Sequence, residues 1–88
     1  MSRRATRFDH RDANEPEILR ALAQLGVEFF PGPPLDGWCW LKRRWVPCEI
    51  KNGRGRLTDG QRTFIEQCDR DGRDYRIWRS WQEAILDV

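Results

Sequence analysis

The stretch that organises this sequence is Trp45-Val46-Pro47-Cys48-Glu49-Ile50-Lys51, followed by the glycine-rich segment 52–56. Side chains alternate along a strand, so Glu49 and Lys51 are expected on one face while Ile50 points into the opposite layer. Pro47 predicts a bulge or an unpaired edge, because proline cannot donate a ladder hydrogen bond. A strand that ends in a charged pair and a glycine-rich loop is therefore the centre of the expected fold.

Three elements are predicted ahead of this strand. Asn14 can cap a helix, Glu17 completes an Asn-x-x-Glu capping box, and Gly26 supplies the stop. Glu17 is interpreted as a cap and not as a ligand. The pattern then predicts strands at 27–30, 38–41 and 45–51, the first ended by Pro31-Gly32-Pro33-Pro34 and the last two joined by the tight basic turn 42–44.

The sequence after the glycine-rich segment predicts a helix, a strand and a second helix. Thr58 and Gln61 form a Thr-x-x-Gln capping box, and Asp71-Gly72 ends the helix that it opens. Alternation predicts a fourth strand at 73–78, and Ser80-Trp81-Gln82-Glu83 opens a short last helix. The predicted order is α-β-β-β-α-β-α, in a single domain over 14–88 that follows a polar, arginine-rich arm at 1–13.

Length and composition agree with one soluble domain. The chain has 88 residues, of which 39% are hydrophobic, with five Trp and four Phe, too aromatic for a disordered segment. No apolar run approaches the roughly 20 residues that span a bilayer, and no apolar segment of a secretory signal follows the basic start. The three cysteines show no C-x-x-C spacing and there is one histidine, so reduced, buried thiols are expected in an intracellular protein.

The charges are unevenly distributed although the net charge is only +2. Segment 42–62 holds seven basic residues against two acidic ones, whereas segment 13–41 holds one basic residue against four acidic ones. Fourteen of the sixteen basic residues are Arg, which suits bidentate contact with phosphate. A nucleic-acid-binding surface is therefore predicted at Lys42, Arg43, Arg44, Arg54, Arg56 and Arg62.

Asp36 completes a group of charged residues. If strands two and three form an antiparallel hairpin, Asp36 arrives near Glu49 and Lys51. Two carboxylates, with the Ile50 carbonyl, can hold Mg²⁺ or Mn²⁺, which would polarise a phosphodiester oxygen and activate a water molecule. Lys51 can orient that water or neutralise charge on the phosphate. The plainer alternatives are a turn role for Asp36 and a surface pair of Glu49 with Lys51.

The whole pattern resembles a known family. The residues that carry the resemblance are Asp12-Ala13-Asn14-Glu15-Pro16-Glu17-Ile18, Pro34-Leu35-Asp36, Cys48-Glu49-Ile50-Lys51-Asn52-Gly53, Leu57-Thr58-x-x-Gln61 and Arg79-Ser80-Trp81-Gln82-Glu83-Ala84. They look like a minimal stand-alone VRR-NUC domain of the PD-(D/E)XK nuclease superfamily, over residues 12–87. The resemblance implies an α/β fold with a restriction-endonuclease-like αβββαβ core, whose mixed four-stranded sheet is flanked by helices.

The resemblance also implies roles for individual residues. Asp36 and Glu49 would be the metal ligands, Lys51 the catalytic lysine, Gln61 the glutamine that opens the following helix, and Glu15 the acid of the first helix. The expected activity is hydrolysis of DNA, at branched or flapped sites, in the cytoplasm of a bacterium or as a phage product. Glu15 could instead favour the positive end of the helix, and the capping box alone accounts for Gln61.

A domain this small has little surface with which to grip a duplex, so we expect a homodimer with exposed tryptophans as interface anchors. The five tryptophans are assigned to the core or to that interface, with at most one as a platform for stacking bases. Two rival functions remain. One is a non-catalytic nucleic-acid-binding module that keeps the fold, which the separation of Pro34 from Asp36 by Leu35 favours. The other is a small phage protein that binds a host protein through its tryptophans.

Overall fold

A computed structural model describes residues 15–52 and 55–88. The arm at 1–13, the Asn14 cap and Arg54 lie outside the described residues. The elements are α1 (Glu15–Gln24), β1 (Phe29–Pro31), β2 (Gly37–Leu41), β3 (Arg44–Ile50), α2 (Asp59–Asp71), β4 (Arg76–Trp78) and α3 (Trp81–Asp87). This order confirms the predicted sequence of helices and strands.

The four strands form one mixed sheet in the order β1-β2-β3-β4. The β1–β2 and β2–β3 pairs are antiparallel, whereas β3 and β4 are parallel. A parallel pair needs a crossover connection, and α2 supplies it. The chain therefore has the predicted α/β fold, a mixed four-stranded sheet flanked by helices.

Alternation along the strands separates two faces of the sheet. One face carries the main apolar core, in which α1 and α3 pack on the sheet; its fully buried members include Ile18, Leu22, Cys39, Cys48, Trp78 and Ala84. The opposite face carries Trp38, Pro47 and Glu49, which face α2. Glu49 therefore leaves the sheet on the face opposite to Ile50, as predicted.

The first strand begins two residues later than predicted and includes Pro31. The Val27 amide still donates to the Leu22 carbonyl at 2.9 Å, so it caps the last turn of α1 and does not yet pair in the sheet. Gly26 has a φ of 77°, the left-handed conformation typical of a helix stop. Pro31 pairs with Gly37 as the last residue of β1, which is acceptable because β1 lies at the edge of the sheet.

The turn between β2 and β3 consists of two residues, not three, because Arg44 already pairs with Leu41 in the sheet. Lys42 and Arg43 have φ values of 52° and 70°. Positive φ at both central residues matches the right-handed twist of the flanking strands. Asn and Gly are the usual residues there, and side chains with a Cβ are strained in this conformation by roughly 1–2 kcal/mol per residue.

Pro47 lies in β3 without a bulge. The pairs Trp38–Pro47 and Gly37–Cys48 follow each other in unbroken register, so the predicted bulge is wrong. The Lys51 amide donates to β4, and backbone groups alternate along a strand, so the Pro47 nitrogen also faces the β4 side. Pairing with β4 starts only at Cys48, which confirms the alternative of a locally unpaired edge.

The predicted caps are present at both later helices. Thr58 and Gln61 exchange the two bonds of a capping box, and Gly72 ends α2 with a φ of 70°. Ser80 accepts from the Glu83 amide, but the Glu83 carboxylate accepts from the Arg79 amide and not from Ser80. The capping box of α3 therefore has only one of its two hydrogen bonds.

Two further sequence expectations concern cysteines and tryptophans. All three cysteines are free and buried, as predicted. The tryptophans divide, because Trp78 is fully buried whereas Trp40, Trp45 and Trp81 are 40–45% exposed. Within the described ranges, no helix combines the length and the apolar character needed to cross a membrane.

Candidate catalytic and metal-binding site

The loop before β2 fixes the backbone of Asp36. The Gly32 amide donates to the Asp36 carbonyl at 3.1 Å, which closes the loop on itself. The Trp38 indole donates to the Pro33 carbonyl at 3.0 Å, and Leu35 is buried. Asp36 therefore precedes β2 in a loop that is tied down at both ends.

Two hydrogen bonds of opposite direction join Asp36 to the end of β3, one to Glu49 and one to Ile50. The Asp36 amide donates to Glu49 Oε1 at 3.1 Å. Asp36 Oδ2 in turn accepts from the Ile50 amide at 2.7 Å. The expectation that a β2–β3 hairpin brings Asp36 to the end of the third strand is confirmed.

Lys51 and Gln61 complete the group around the second carboxylate oxygen. Glu49 Oε2 lies 3.3 Å from Lys51 Nζ and accepts from Gln61 Nε2 at 2.9 Å. The Glu49 side chain is 1% exposed and that of Lys51 15%, so this ion pair is not a solvated surface pair. The structure thus brings together four of the five residues predicted to be catalytic.

Gln61 belongs both to the helix cap and to the site. Its Oε1 accepts from the Thr58 amide at 2.9 Å, while its Nε2 donates to Glu49. An amide side chain has one acceptor and one donor end, and both ends have a partner here. The two predicted roles, cap and site residue, are therefore compatible, because the cap orients the donor end toward Glu49.

The electrostatic environment raises the pKa of Glu49 to about 7, and two effects cause the rise. Burial disfavours the ionised carboxylate, and the nearby Asp36 carboxylate adds repulsion. Lys51 acts in the opposite direction through its charge and its hydrogen bond, but it only partly compensates. Near neutral pH, Glu49 consequently carries a proton for part of the time.

The oxygen atoms around Asp36 fit a hard divalent cation. Asp36 Oδ1 accepts no hydrogen bond from the described residues, and Glu49 Oε1 accepts one. The Ile50 carbonyl faces the same side of β3 as its amide, which bonds to Asp36. Two carboxylates and a carbonyl suit Mg²⁺ or Mn²⁺ with water in the other positions, and a cation would relieve the repulsion that raises the Glu49 pKa.

Glu15 is not part of this group. It is the first residue of α1 and is 8% exposed. Across residues 15–52 and 55–88, no three His, Cys, Asp or Glu side chains lie together as a metal-binding group. The described residues therefore bring two carboxylates together, and Glu15 does not complete a group of three with them.

The predicted nucleic-acid-binding residues divide into two groups. Lys42, Arg43 and Arg44 lie at the exposed β2–β3 turn, where Arg44 pairs with Asp74 at 2.7 Å. Two others, Arg56 and Arg62, lie between the far end of β3 and the first turns of α2. Seven strand residues separate the groups by about 20 Å. The sequence cluster is thus two basic surfaces, one at each end of β3.

Arg79 has a contact that sequence reasoning did not identify. Its Nη1 donates to the Asn52 carbonyl at 3.1 Å and to the Gly55 carbonyl at 2.8 Å, both within the glycine-rich segment 52–56. The signal was indirect: Arg79 follows β4, and the parallel pairing of β4 with β3 places it beside the loop that follows β3. Arg79 therefore ties that loop to the sheet.

Comparison of the chain with protein-family models, with curated proteins and with solved structures found no match. Function must therefore be inferred from the geometry of Asp36, Glu49, Lys51 and Gln61.

Proposed function

We propose that this protein is a Mg²⁺- or Mn²⁺-dependent endonuclease that hydrolyses DNA phosphodiester bonds, at branched or flapped sites. The observation that supports this most is the paired arrangement of Asp36 and Glu49, each bonded to the backbone beside the other. Lys51 and Gln61 meet the same carboxylate. A surface pair or a turn residue would not require a buried carboxylate with this set of partners.

The residues have distinct chemical roles in the proposed reaction. Asp36, Glu49 and the Ile50 carbonyl would hold the cation, which polarises a phosphodiester oxygen and lowers the pKa of bound water. Lys51 Nζ neutralises negative charge that develops on the phosphate. Gln61 keeps the Glu49 carboxylate oriented through a donor that the helix cap holds in place.

The two basic surfaces support a nucleic-acid substrate. Lys42 and Arg43 have no ion pair or hydrogen bond with another described residue, so their charges remain available to phosphate. The charge of Arg62 is partly neutralised, because Arg62 pairs with Asp59 at 3.1 Å. Basic residues about 20 Å apart can contact several phosphates of one strand.

The proposal extends to assembly and location through the family resemblance. A homodimer would present two sites to two strands, and exposed tryptophans such as Trp40 are suitable interface anchors. The setting would be the cytoplasm of a bacterium, with the chain encoded by the bacterium or by a phage.

A second candidate is a non-catalytic nucleic-acid-binding module with the same fold. One observation favours it: Glu49 Oε2 already has two donors, so only its other oxygen is open to a cation. If the two carboxylates failed to bind an ion, the basic surfaces would still bind phosphate.

Cleavage of DNA by the purified protein tests the proposal. Supercoiled plasmid and four-way or flapped DNA would be incubated with Mg²⁺, Mn²⁺ or EDTA, alongside Lys51→Ala. A matched control is Arg70→Ala, an exposed cation of α2 far in sequence from the site. We expect cleavage that requires metal, survives in Arg70→Ala and disappears in Lys51→Ala.

Two other outcomes would reject the nuclease. Cleavage that persists in the folded Lys51→Ala protein would indicate a contaminating enzyme. DNA binding in EDTA without cleavage in either metal would support the non-catalytic module instead.

A further inference from the structure

A cavity of about 400 Å³ lies between the sheet and the C-terminal half of α2, away from the carboxylates. The sheet contributes the flat side chains of Trp38, Trp45 and Pro47, and the helix contributes Phe64 and Cys68. Its volume is within the roughly 300–1,000 Å³ typical of small-ligand sites. No role proposed so far uses this space.

Charged side chains of both signs line the cavity, two arginines and one aspartate. Arg44 and Arg73 line it together with Asp74. The two guanidinium-bearing side chains are 59% and 74% exposed, and each pairs with an acid, Arg44 with Asp74 at 2.7 Å and Arg73 with Asp71 at 3.8 Å. A molecule bound in this cavity would therefore contact both the aromatic side chains and the two arginine side chains.

Trp45 is the ring best placed to receive a flat occupant. Two neighbouring rings hold it in place, Trp40 in an edge-on contact at 5.3 Å and Phe30 in an offset stack at 6.1 Å between centroids. Even so, 45% of Trp45 remains exposed. The indole is thus fixed in orientation and only half covered.

We propose that this cavity binds an unpaired nucleobase, stacked on Trp45, of the nucleic acid that the protein acts on. This proposal rests on the nucleic-acid substrate of the proposed function. Every base has a π-face that stacks on aromatic rings, and arginine contributes cation–π attraction and contacts to phosphate. The unpaired cations Lys42 and Arg43 lie three and two residues before Trp45, so backbone phosphates next to the base would meet positive charge.

The position of the cavity gives a reason for preferring structured DNA. Trp45 precedes Glu49 by four residues in β3, and alternate residues of a strand share one face of the sheet. The stacking position and the carboxylate are therefore about 13 Å apart on the face that carries α2. A substrate with an unpaired base at one end and the cleaved bond at the other would occupy both places, whereas a fully paired duplex would fill only one.

The test measures binding in EDTA, so that it does not depend on cleavage. A short fluorescein-labelled single strand and the duplex of the same sequence would be titrated with the wild type, Trp45→Leu and Trp81→Leu. Trp81 is a matched control, because it is 40% exposed and lies on α3, against α1 on the other face of the sheet. Trp45→Phe keeps a ring and serves as the conservative variant.

We expect Trp45→Leu to weaken binding of the single strand by roughly fivefold to 100-fold, the usual contribution of one stacked base. Duplex binding should change by less than about twofold, Trp81→Leu should bind like the wild type, and Trp45→Phe should recover most of the affinity. These results would support the base site whether or not the protein cleaves DNA.

Three results would overturn the proposal. The first is unchanged single-strand binding by Trp45→Leu, and the second is an equal loss for single strand and duplex. The third is a change from dimer to monomer in Trp45→Leu by light scattering, which would assign this surface to a second copy of the chain. Metal-dependent cleavage alongside any of them would leave the nuclease proposal intact, whereas no nucleic-acid binding by the wild type would reject both.

Discussion

The Asp36 amide donates to Glu49 Oε1 at 3.1 Å, while Asp36 Oδ2 accepts from the amide of the residue after Glu49 at 2.7 Å. Each residue thus helps to position the carboxylate of the other. These bonds lie where β2 begins and β3 ends, so strand pairing and site geometry depend on each other. A change at either residue should therefore affect both metal affinity and stability, and the two effects can be measured separately.

Asp36→Asn should weaken binding of Mg²⁺ or Mn²⁺ by at least about tenfold. Changes to outer-shell residues alone cost tenfold to 100-fold in metal affinity, and this variant removes a charged ligand. The asparagine oxygen can still accept from the Ile50 amide, so the fold should be retained. Isothermal titration with each metal, with circular dichroism as a check on folding, measures the effect.

Asp59→Asn is the matched control for this experiment. The Asp59 side chain is 99% exposed and lies in the first turn of α2, close in sequence to Gln61 but without a place in the carboxylate pair. The metal affinity of Asp59→Asn should equal that of the wild type. An equal loss in both variants would mean that general charge, and not the Asp36–Glu49 pair, holds the cation.

The raised pKa of Glu49 predicts that stability falls as pH rises. The folded chain binds this proton more tightly than the unfolded chain, because the pKa moves from 4.5 to about 7. The contribution is fully present below about pH 4.5 and is lost as pH rises through about 7. Urea unfolding at intervals from pH 5 to pH 8 should show a decline whose upper limit is about 3 kcal/mol.

Two variants and one ion identify the source of this decline. Glu49→Gln should lose the slope, whereas Glu66→Gln, at an exposed position of α2, should keep it. Saturating Mg²⁺ should flatten the slope in the wild type, because a cation favours the ionised carboxylate. Stability that is constant or rises with pH in the metal-free wild type would be inconsistent with a buried, proton-binding Glu49.

Features encoded by neighbouring residues could be predicted from the sequence. The capping box of Thr58 and Gln61 and the helix stops at Gly26 and Gly72 depend on local backbone groups, and they are correct. The meeting of Asp36 with Glu49 could also be predicted, because a hairpin brings residues on either side of it together. The predicted strand boundaries were wrong where pairing with another strand determines them, as at Pro31 on the edge strand.

The remaining features depend on contacts that no local pattern encodes. The clamp of Arg79 on the loop after β3 follows from the register of two parallel strands. The cavity beside Trp45 depends on how α2 crosses the sheet. The basic residues of segment 42–62 form one cluster in the sequence. They form two surfaces in the structure, because the extended strand β3 separates them.

Gly37→Ala should destabilise the protein and disturb the site beside it. A Cβ at Gly37 would clash with the Phe29 ring and lie 2.7 Å from the Phe30 carbonyl, too close without movement of β1. Overpacking of this kind costs typically about 1–3 kcal/mol. Because Gly37 follows Asp36 directly, metal affinity should fall as well, which titration of the folded fraction would show.

Gly60→Ala should change the stability in the opposite direction in the same experiment. A Cβ there meets nothing within 4 Å, and the residue lies in the first turn of α2. Alanine should stabilise the helix by up to about 1 kcal/mol. If both glycine variants changed the urea midpoint alike, the close approach of β1 to Gly37 would be wrong.

Thr58→Ala and Gln61→Ala separate the cap from the site. Loss of the Thr58 hydroxyl should cost about 1 kcal/mol of stability, the typical value of an N-cap, and leave metal-dependent cleavage largely intact. Gln61→Ala should cost more, because it also leaves a buried oxygen of Glu49 with one donor fewer, at about 1–3 kcal/mol. Urea unfolding and cleavage rates together measure both effects, and equal loss of cleavage in the two variants would assign Gln61 to the cap alone.

Arg79→Ala should loosen the loop between β3 and α2. The guanidinium group donates to two carbonyls on either side of residues 53–54, and charged hydrogen bonds of this kind contribute about 1.5–3 kcal/mol each. Trypsin provides a direct readout, since Arg54 and Arg56 are cleavage sites within this segment. Mass spectrometry should show faster cleavage after these two residues in Arg79→Ala than in Arg70→Ala, because Arg79 contacts the loop whereas Arg70 lies in the last turn of α2. Equal rates would mean that the loop keeps its position without the clamp.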